Sequence, residues 1–196
     1  MDLNITFIRN APTKGGMEGR LLGRIDEPLT TESENLLRDR AAQGIYPGAQ
    51  IVFSGGTMRC LQTASAVYPN MPAIILKELA PFDYGDFSGR TYSEIVADKR
   101  FTDWMIPGRI PAFPGGEAPH AFTGRCGKAL RHIVREALAK NIGHIGVVTH
   151  LCVIKTILHR YCVPRSFYCD WHTDYLGGYA ALYNTQTSAL QIVERF

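Results

Sequence analysis

The stretch "IGVVTHLCVIKTILHRYC", residues 145–162, joins a short apolar run directly to a segment with helical periodicity. Residues 145–150 are rich in β-branched side chains, as in a buried strand. From residue 153 onward, apolar side chains recur at the spacing of one helix face. A strand that leads straight into a helix is the unit of an α/β sheet, and it places Thr149 and His150 at the junction.

The same alternation extends along the rest of the chain. Other apolar, β-rich runs occur at residues 4–9, 49–54, 73–76, 178–184 and 190–196. Helical patterns occur at residues 29–44, 57–68 and 120–141. This order predicts an α/β layered fold with a mostly parallel sheet, to which the final two strands could add an antiparallel edge. We expect one domain over residues 1–196, a length that suits a single core.

Composition and charge exclude several classes of protein. The 21 basic and 18 acidic residues give a net charge of +3, and they are spread along the chain without the dense basic block of a nucleic-acid surface. The N-terminus "MDLNITFIRN" predicts neither a signal peptide nor a membrane span, so a cytoplasmic location is expected. Five cysteines without a C-x-x-C pair indicate buried thiols rather than disulfides or a zinc site.

A region rich in proline and glycine interrupts the pattern in the middle of the chain. We expect a long loop or lid around residues 99–120, because "FTDWMIPGRIPAFPGGEAP" holds four prolines and three glycines. Trp104, Phe113 and Phe82 could line a pocket beneath this loop, with ordinary core packing as the alternative.

Polar residues follow three of the predicted strands at the point where each strand ends. Arg9 ends the first strand and Asn10 follows it, Arg59 comes one helical turn after the second, and His150 ends the run at residues 145–150, at the start of a helix. The carboxyl ends of parallel strands meet at one edge of a sheet, where helix N-termini also converge. Two guanidinium groups, an imidazole and a helix N-terminus suit a phosphate, so the sequence predicts an anion-binding site.

Six segments, in order, resemble the histidine phosphatase superfamily in its phosphoglycerate mutase-like branch. The motifs are "FIRNAPT", "EGRLLGRIDEPLT", "FSGGTMRCLQTA", "FDYGDFSGRTYSEI", "FPGGEAPHAFTGR" and "VVTH". They are similar to the family's R-H-G/A, R-x-x-G-x-x-D-x-P-L, S-x-x-x-x-R-x-x-Q-T-A, D-F-G-x-x-E-G and P-G-G-E-S segments and to the strand that bears its second histidine. Within the family, the pattern looks most like bacterial α-ribazole phosphatases.

The resemblance implies a three-layer α/β sandwich with helices on both sides of the sheet. It also implies phosphoryl transfer through a phosphohistidine, without a metal ion or a cofactor. Carried over by position, the phosphate-binding set comprises Arg9, Asn10, Arg59, His150 and Leu151. The nucleophile's position in this set holds Asn10, and an amide nitrogen has no basic lone pair with which to attack phosphorus.

Other motif positions also depart from the family pattern. The position of the acid that protonates the leaving group holds Pro81, and Glu78 and Asp83 are the nearby carboxylates that could replace it. Further departures are Gly16, Ser88, Ala118 and Leu151, at places where the motifs have asparagine, glutamate, serine and a small residue. Several independent losses favour natural divergence over a single engineered change.

Two classes of function remain open at this point. The first is a catalytically inactive or severely impaired protein that still binds a phosphate ester through Arg9, Arg59 and His150. The second is a working phosphomonoesterase in which His150, or a water held by Glu78 or Asp83, has taken over the chemistry. The partner expected in both cases is phosphate or a small phosphorylated metabolite, without nucleic acid or membrane. A homodimer through the edge strand at residues 190–196 is a further possibility.

Overall fold

A six-stranded mixed sheet forms the centre of the molecule. The structure is a computed structural model that describes residues 2–106 and 112–196. The strands are β1 (Asp2–Arg9), β2 (Ile51–Ser54), β3 (Ile74–Ile75), β4 (His144–Thr149), β5 (Gly178–Asn184) and β6 (Ala189–Arg195), in the spatial order β3-β2-β4-β1-β5-β6. The first four of that order pair in parallel and the last two are antiparallel. The predicted fold class is therefore confirmed, including the antiparallel edge.

Helices cover both faces of this sheet within the described ranges. They are α1 (Lys14–Met17), α2 (Thr31–Ala42), α3 (Met58–Val67), α4 (Tyr92–Val96), α5 (Lys99–Trp104), α6 (Pro119–Ala139) and α7 (Leu151–Tyr161). On one face, Phe7 of β1 lies in a core cluster with residues of α6 and α7. On the other, Ile8 lies in a cluster with residues of α3. This alternation follows from the two-residue period of a strand, and it produces three layers.

The predicted loop around residues 99–120 is only partly a loop. Residues 99–104 form α5, because the Asp98 side chain accepts a hydrogen bond from the Arg100 backbone N–H and so caps the helix at its N-terminus. Residues 119 and 120 already belong to α6, which begins with Pro119 in the first turn. Residues 107–111 and the side chain of Trp104 lie outside what the structure describes.

Three further predictions concern the cysteines, a membrane span and the edge strand. Cys60, Cys126 and Cys162 are buried as expected, whereas Cys152 is half-buried and Cys169 is exposed. None of the helices in the described residues is long and apolar enough to span a bilayer. Since β6 pairs only with β5 among the named strands, the dimer through this edge stays a prediction.

Candidate functional site

The carboxyl ends of β1 and β4 bring the first predicted site residues together. Arg9 and Thr149 are register partners in the parallel ladder, and the Asn10 backbone N–H donates to the Thr149 carbonyl at 2.9 Å. Asn10 and His150, the next residue after each strand, therefore leave the sheet side by side. The loop after β2 leads into α3, whose second residue is Arg59. As predicted, neighbouring parallel strands deliver all four side chains to one edge of the sheet.

A cavity of about 320 Å³ lies at this edge, and we call it the cationic cavity. Four basic side chains line it together with His150, and no carboxylate is among its described lining residues. An open pocket with this imbalance of charge attracts anions. Its described lining consists of Arg9, Asn10, Thr13, Gly16, Arg20, Leu21, Leu22, Gly23, Arg59, Pro81, Tyr84, His150, Leu151, Cys152, Lys155, Tyr168 and Tyr175.

Arg59 is held in a fixed position by backbone carbonyls. The residue is only 3% exposed, and its Nη1 and Nη2 donate to the carbonyls of Ile25 and Gly23, each at 2.7 Å. Gly23 has a positive φ of 52°, and a Cβ there would lie 2.9 Å from the Phe82 carbonyl oxygen. Only glycine suits this turn. The guanidinium is thus held mainly by carbonyls, and its ion pair with Asp26, at 3.9 Å from Nη1, is a long one.

Arg9 is held in position by contacts with the segment that follows α7. Its Nη1 donates to the Thr173 carbonyl at 2.6 Å, and its guanidinium lies 3.8 Å from the centre of the Tyr175 ring. The same tyrosine occupies the space beside Gly16, where an added Cβ would come within 2.7 Å of the hydroxyl oxygen. A larger residue at Gly16 therefore competes with Tyr175 for one volume. Tyr175 thus fills the space beside this glycine, at a position where the resemblance implies asparagine.

His150 is buried and neutral at physiological pH. Its Nε2 lies 3.3 Å from the Thr57 Oγ1 and 3.4 Å from the Cys60 Sγ. Burial, followed by the charges of Arg59, Arg125 and Arg9, lowers the pKa of His150 well below its ordinary value. A neutral imidazole can donate one hydrogen bond and accept another, so it can contact a phosphate without a charge of its own.

Two cysteines near the cavity are not activated nucleophiles. Burial raises the pKa of Cys60 to about 12, and burial also raises the pKa of Cys152. Both thiols are therefore protonated at neutral pH, and the thiolate is the reactive form.

Asn10 lines the cavity as a hydrogen-bonding residue. It is 5% exposed, and its Nδ2 donates to the Ala11 carbonyl at 2.8 Å. The amide is thus held within its own turn, beside His150.

Comparison with known proteins identifies the family. The profile of the Histidine phosphatase superfamily (branch 1) matches residues 5–192. The chain belongs to this superfamily. No curated protein matches the sequence.

Solved structures with the same fold include α-ribazole phosphatases. A candidate alpha-ribazole-5'-P phosphatase from Escherichia coli K-12 has a TM-score of 0.80 at 21% identity, over 97% of this chain and 95% of that one. The alpha-ribazole phosphatase from Shigella flexneri has a TM-score of 0.80 at 20% identity, over the same shares of 97% and 95%. The protein TTHB049 from Thermus thermophilus has a TM-score of 0.72 at 22% identity, over 99% of each chain. At these identities the likeness establishes the fold.

Pro81 also lines the cationic cavity, in a wall that comes from residues 78–81, and it stands at the position where the resemblance to this superfamily implies an acid. Arg125 holds this wall: it donates to the carbonyls of Glu78, Ala80 and Pro81. Arg125 also pairs with both carboxylate oxygens of Glu117, at 2.7 and 2.9 Å. The backbone here is tightly fixed, although Pro81 itself has no proton to give.

The two carboxylates predicted to replace the acid do not line the cationic cavity. Asp83 accepts from the Gly85 backbone N–H at 3.0 Å and lies 3.3 Å from Arg24. Glu78 contributes its carbonyl to Arg125, in a short 3₁₀ turn at Lys77–Leu79. Neither side chain is among the described lining residues, so the geometry gives no support to the predicted roles of Glu78 and Asp83.

Several lining residues were missed by sequence reasoning. Arg20 begins the segment that resembles R-x-x-G-x-x-D-x-P-L, so its motif position was an available signal. Lys155 lies four residues after Leu151 on α7, and the i, i+4 spacing places both on one helix face. Tyr168 and Tyr175 come from irregular backbone after α7, where periodicity gives no signal.

Proposed function

We propose that this chain binds phosphate or a small phosphorylated metabolite in the cationic cavity and does not transfer the phosphoryl group through a phosphohistidine. The observation that carries the proposal is the lining of that cavity. Four basic side chains and His150 face one space without a carboxylate among the described lining residues, and Asn10 and Pro81 stand in the same lining. The fold neighbours named as α-ribazole phosphatases support a phosphomonoester as the ligand class.

The loss of turnover follows from the chemistry of two side chains. Asn10 occupies the nucleophile's position, and its amide nitrogen is delocalised into the carbonyl. Pro81 occupies the acid's position and has neither charge nor proton. Removal of a nucleophile in a well-studied hydrolase lowers turnover on the order of 10⁶-fold, or roughly 8 kcal/mol of transition-state stabilisation. Binding needs neither of these groups.

A second candidate function is a phosphomonoesterase that uses His150 as its nucleophile. The observation that favours it is the neutral state of this imidazole, since its pKa is lowered and a lone pair is available. In that case phosphomonoester hydrolysis would be measurable in the natural sequence and absent in His150→Ala. Under the first proposal neither protein hydrolyses phosphomonoesters above background.

Calorimetric titration with inorganic phosphate tests the binding proposal. We expect Arg59→Met to weaken phosphate binding at least about 30-fold, because removal of one partner of a buried charge contact costs about 2 kcal/mol or more. Arg38→Met is the matched control, since this arginine is exposed on α2 and pairs with Glu34 outside the cavity. Thermal unfolding of both variants checks that they are folded. Absence of phosphate binding by the natural sequence would overturn the proposal.

Restoring the nucleophile separates an inactive protein from one that lacks a single group. We expect Asn10→His to hydrolyse alkyl phosphomonoesters only slightly, because Pro81 still provides no acid. Substantial turnover by this variant would show that the rest of the site is competent and would contradict an inactive site with several losses.

A further inference from the structure

A second cavity, of about 310 Å³, is lined by the same segment that holds Arg9, and we call it the Arg40 cavity. Arg40 comes from the last turn of α2, and Arg195 ends β6. Tyr175 is the one residue that the described linings of this cavity and the cationic cavity share. The described lining consists of Arg40, Thr173, Asp174, Tyr175, Gly177, Arg195 and Phe196.

Arg40 brings an unpaired hydrogen-bond donor to this cavity. Its Nε is buried and has no hydrogen-bond partner among the described residues. The neighbouring Tyr46 hydroxyl donates its own proton to the Leu176 carbonyl at 2.9 Å. Buried donors in folded proteins are nearly always satisfied, so the Arg40 Nε–H calls for an acceptor from outside the chain.

No described carboxylate neutralises the two guanidinium groups of the Arg40 cavity. Arg40 and Arg195 take part in none of the ion pairs between described residues. Arg195 instead lies over the Tyr179 ring, 5.9 Å from its centre. Two uncompensated positive charges at one small cavity attract an anion.

The polar groups around the two arginines indicate which anion fits. The Asp174 side chain is 92% exposed and lies 3.5 Å from His172 Nε2, so its negative charge stands at the rim. Its repulsion opposes a doubly charged phosphate more than a singly charged carboxylate. The main-chain oxygen of Phe196 accepts from the Gly178 N–H at 3.0 Å and is thus bonded within the sheet. The Nε–H and one Nη–H of a guanidinium form a planar fork that matches the two oxygens of a carboxylate.

Residues 173–177 connect the Arg40 cavity to Arg9. The Thr173 carbonyl accepts from Arg9 Nη1 at 2.6 Å, and the Gly177 carbonyl accepts from the Arg9 backbone N–H at 2.9 Å. The segment is tightly packed, because a Cβ at Gly177 would lie 2.5 Å from Thr173 Oγ1 and 2.7 Å from the Phe196 carbonyl oxygen. A ligand against this segment in the Arg40 cavity therefore favours the arrangement that holds Arg9.

We propose that the Arg40 cavity binds a small carboxylate anion, and that binding there tightens phosphate binding in the cationic cavity through residues 173–177. The carboxylate accepts from the Arg40 Nε–H, and Arg195 supplies the second positive charge. The new site goes beyond the proposed function and stands without it. Its effect on phosphate rests on the proposed function, since that effect assumes that phosphate binds at Arg9.

Titration with sodium acetate, followed in nitrogen–proton correlation spectra, tests the new site. We expect the Arg40 Nε–H signal, assigned by its loss in Arg40→Met, to shift with saturation as acetate is added. Sodium chloride at the same ionic strength should not cause this shift. The amide signals of Tyr175 and Gly177 report binding in the variants, and Arg40→Met and Arg195→Met should each weaken acetate binding at least about tenfold.

Arg38→Met is the matched control for these variants. Arg38 is exposed on the same helix as Arg40 and pairs with Glu34 outside the cavity, so this variant should bind acetate as the natural sequence does. Arg195 is exposed, so Arg195→Met keeps the test decisive if Arg40→Met disturbs the fold. An Arg40 signal that does not respond to acetate, or that responds equally to chloride, would overturn the site.

The choice of a carboxylate has its own test in the Arg59→Met background, where the cationic cavity is weakened. Acetate should shift the Arg40 Nε–H signal at lower concentrations than inorganic phosphate does. The reverse order would overturn the assignment of a carboxylate.

Calorimetric titration with inorganic phosphate, in saturating acetate or in chloride of equal ionic strength, tests the link to Arg9. We expect acetate to tighten phosphate binding at least about fivefold in the natural sequence and to have no such effect in Arg195→Met. Equal affinities, or weaker binding because acetate competes in the cationic cavity, would overturn the link. If phosphate binds under neither condition, the proposed function itself fails, whereas the Arg40 signal still decides the new site.

Discussion

Arg59 and Arg125 hold two walls of the same cavity in the same way, yet only Arg59 faces the ligand space. Arg59 donates to the carbonyls of Gly23 and Ile25, and Arg125 donates to those of Glu78, Ala80 and Pro81. Both guanidiniums hold backbone segments that lie outside the strands and so are not paired in the sheet. The difference is that Arg125 is also neutralised by Glu117, whereas Arg59 has no carboxylate closer than 3.9 Å among the described residues.

The two arginines therefore differ in role: Arg125 only holds the backbone of its wall, whereas Arg59 holds backbone and also faces the ligand space. Arg125 donates to three backbone carbonyls of its wall. The side chain that this wall presents to the cavity is that of Pro81. On the wall of Arg59 the supported group is itself the one that would contact a phosphate. A hydrogen bond to a backbone carbonyl does not depend on which side chain that residue carries. The Arg125 hydrogen bonds can therefore hold the backbone at residues 78–81 in place whether position 81 carries proline or an acid.

The largest expected effect concerns the wall of Arg125. If its backbone still has the geometry that suits an acid, Pro81→Glu added to Asn10→His should raise turnover of an alkyl phosphomonoester about 10²- to 10⁴-fold over Asn10→His alone. The gain should be smaller for 4-nitrophenyl phosphate, whose leaving group needs little protonation. Steady-state kinetics with both substrates measures the ratio.

The control for this gain is Asn10→His/Pro81→Gln. Glutamine has nearly the shape of glutamate and relieves the same proline constraint, but it has no proton to transfer. Equal rates for the glutamate and glutamine variants would contradict the idea that an acid has been lost from a preserved position.

The second effect tests whether Arg125 is a structural support. Its side chain and that of Glu117 are 15% and 11% exposed. Arg125→Met leaves a buried carboxylate and three carbonyls without this donor, so we expect the free energy of unfolding to fall by about 3–5 kcal/mol. Urea denaturation measures the change.

Arg100→Met provides the comparison for Arg125→Met. Arg100 also forms ion pairs, in this case with the two carboxylates of Asp86 and Asp98, but it is half exposed. Surface ion pairs contribute little, so this variant should unfold close to the natural sequence. Similar losses in the two variants would mean that Arg125 does not support the wall.

The third effect is a pH dependence of the free energy of unfolding, which arises from His150 beside Arg59. The pKa of His150 is lowered by burial, by Arg59 and by two further arginines. As pH falls below about 6.5, the unfolded chain takes up a proton at this histidine while the folded chain does not. The free energy of unfolding should then fall by up to about 1.4 kcal/mol per pH unit.

His150→Gln removes this contribution while keeping a polar side chain beside Thr57. The variant should lose less stability than the natural sequence between about pH 6.5 and pH 5, as measured by urea denaturation at each pH. The remaining histidines are common to both proteins and cancel in the difference. Parallel curves for the two proteins would show that His150 takes up its proton in the folded state as readily as in the unfolded chain.

The positions of Arg9, Asn10 and His150 could be predicted from the sequence because they lie at the ends of strands. Arg9 ends β1, and Asn10 and His150 are the first residues after β1 and β4. The rule for α/β sheets brings residues at such strand ends together without knowledge of the register. The walls could not be predicted in this way. Glu78 and Asp83 are close to Pro81 in sequence, but contacts with Arg125, more than 40 residues later, decide which side chain faces the cavity.

Local signals were also present at residues 99–104, the part of the predicted long loop that forms a helix. Asp98 is a good N-cap, and the residues of α5 after it contain neither proline nor glycine. The dense prolines and glycines begin only at residue 107. The aromatic residues from the segment after α7 had no such signal, since Tyr168 and Tyr175 reach the site only through tertiary packing.

The smallest expected effect tests the match between Gly16 and Tyr175 beneath Arg9. A Cβ at Gly16 would lie 2.7 Å from the Tyr175 hydroxyl oxygen. In a helix, Gly→Ala alone stabilises by up to about 1 kcal/mol, but overpacking costs about 1–3 kcal/mol, so Gly16→Ala should be destabilising by about 1 kcal/mol. Gly124→Ala on α6, where an added Cβ meets nothing within 4 Å, should instead be stabilising.

Tyr175→Phe supplies the other half of this test, because it removes the hydroxyl and keeps the ring under Arg9. In the Tyr175→Phe background, Gly16→Ala should cost less, with a coupling energy of at least about 0.5 kcal/mol in a double-mutant cycle. Additive effects would show that the two positions do not compete for space. A clear coupling would mean that the side of the site next to Arg9 is packed around the glycine at position 16, whereas Pro81 lies on a wall whose backbone Arg125 supports by hydrogen bonds.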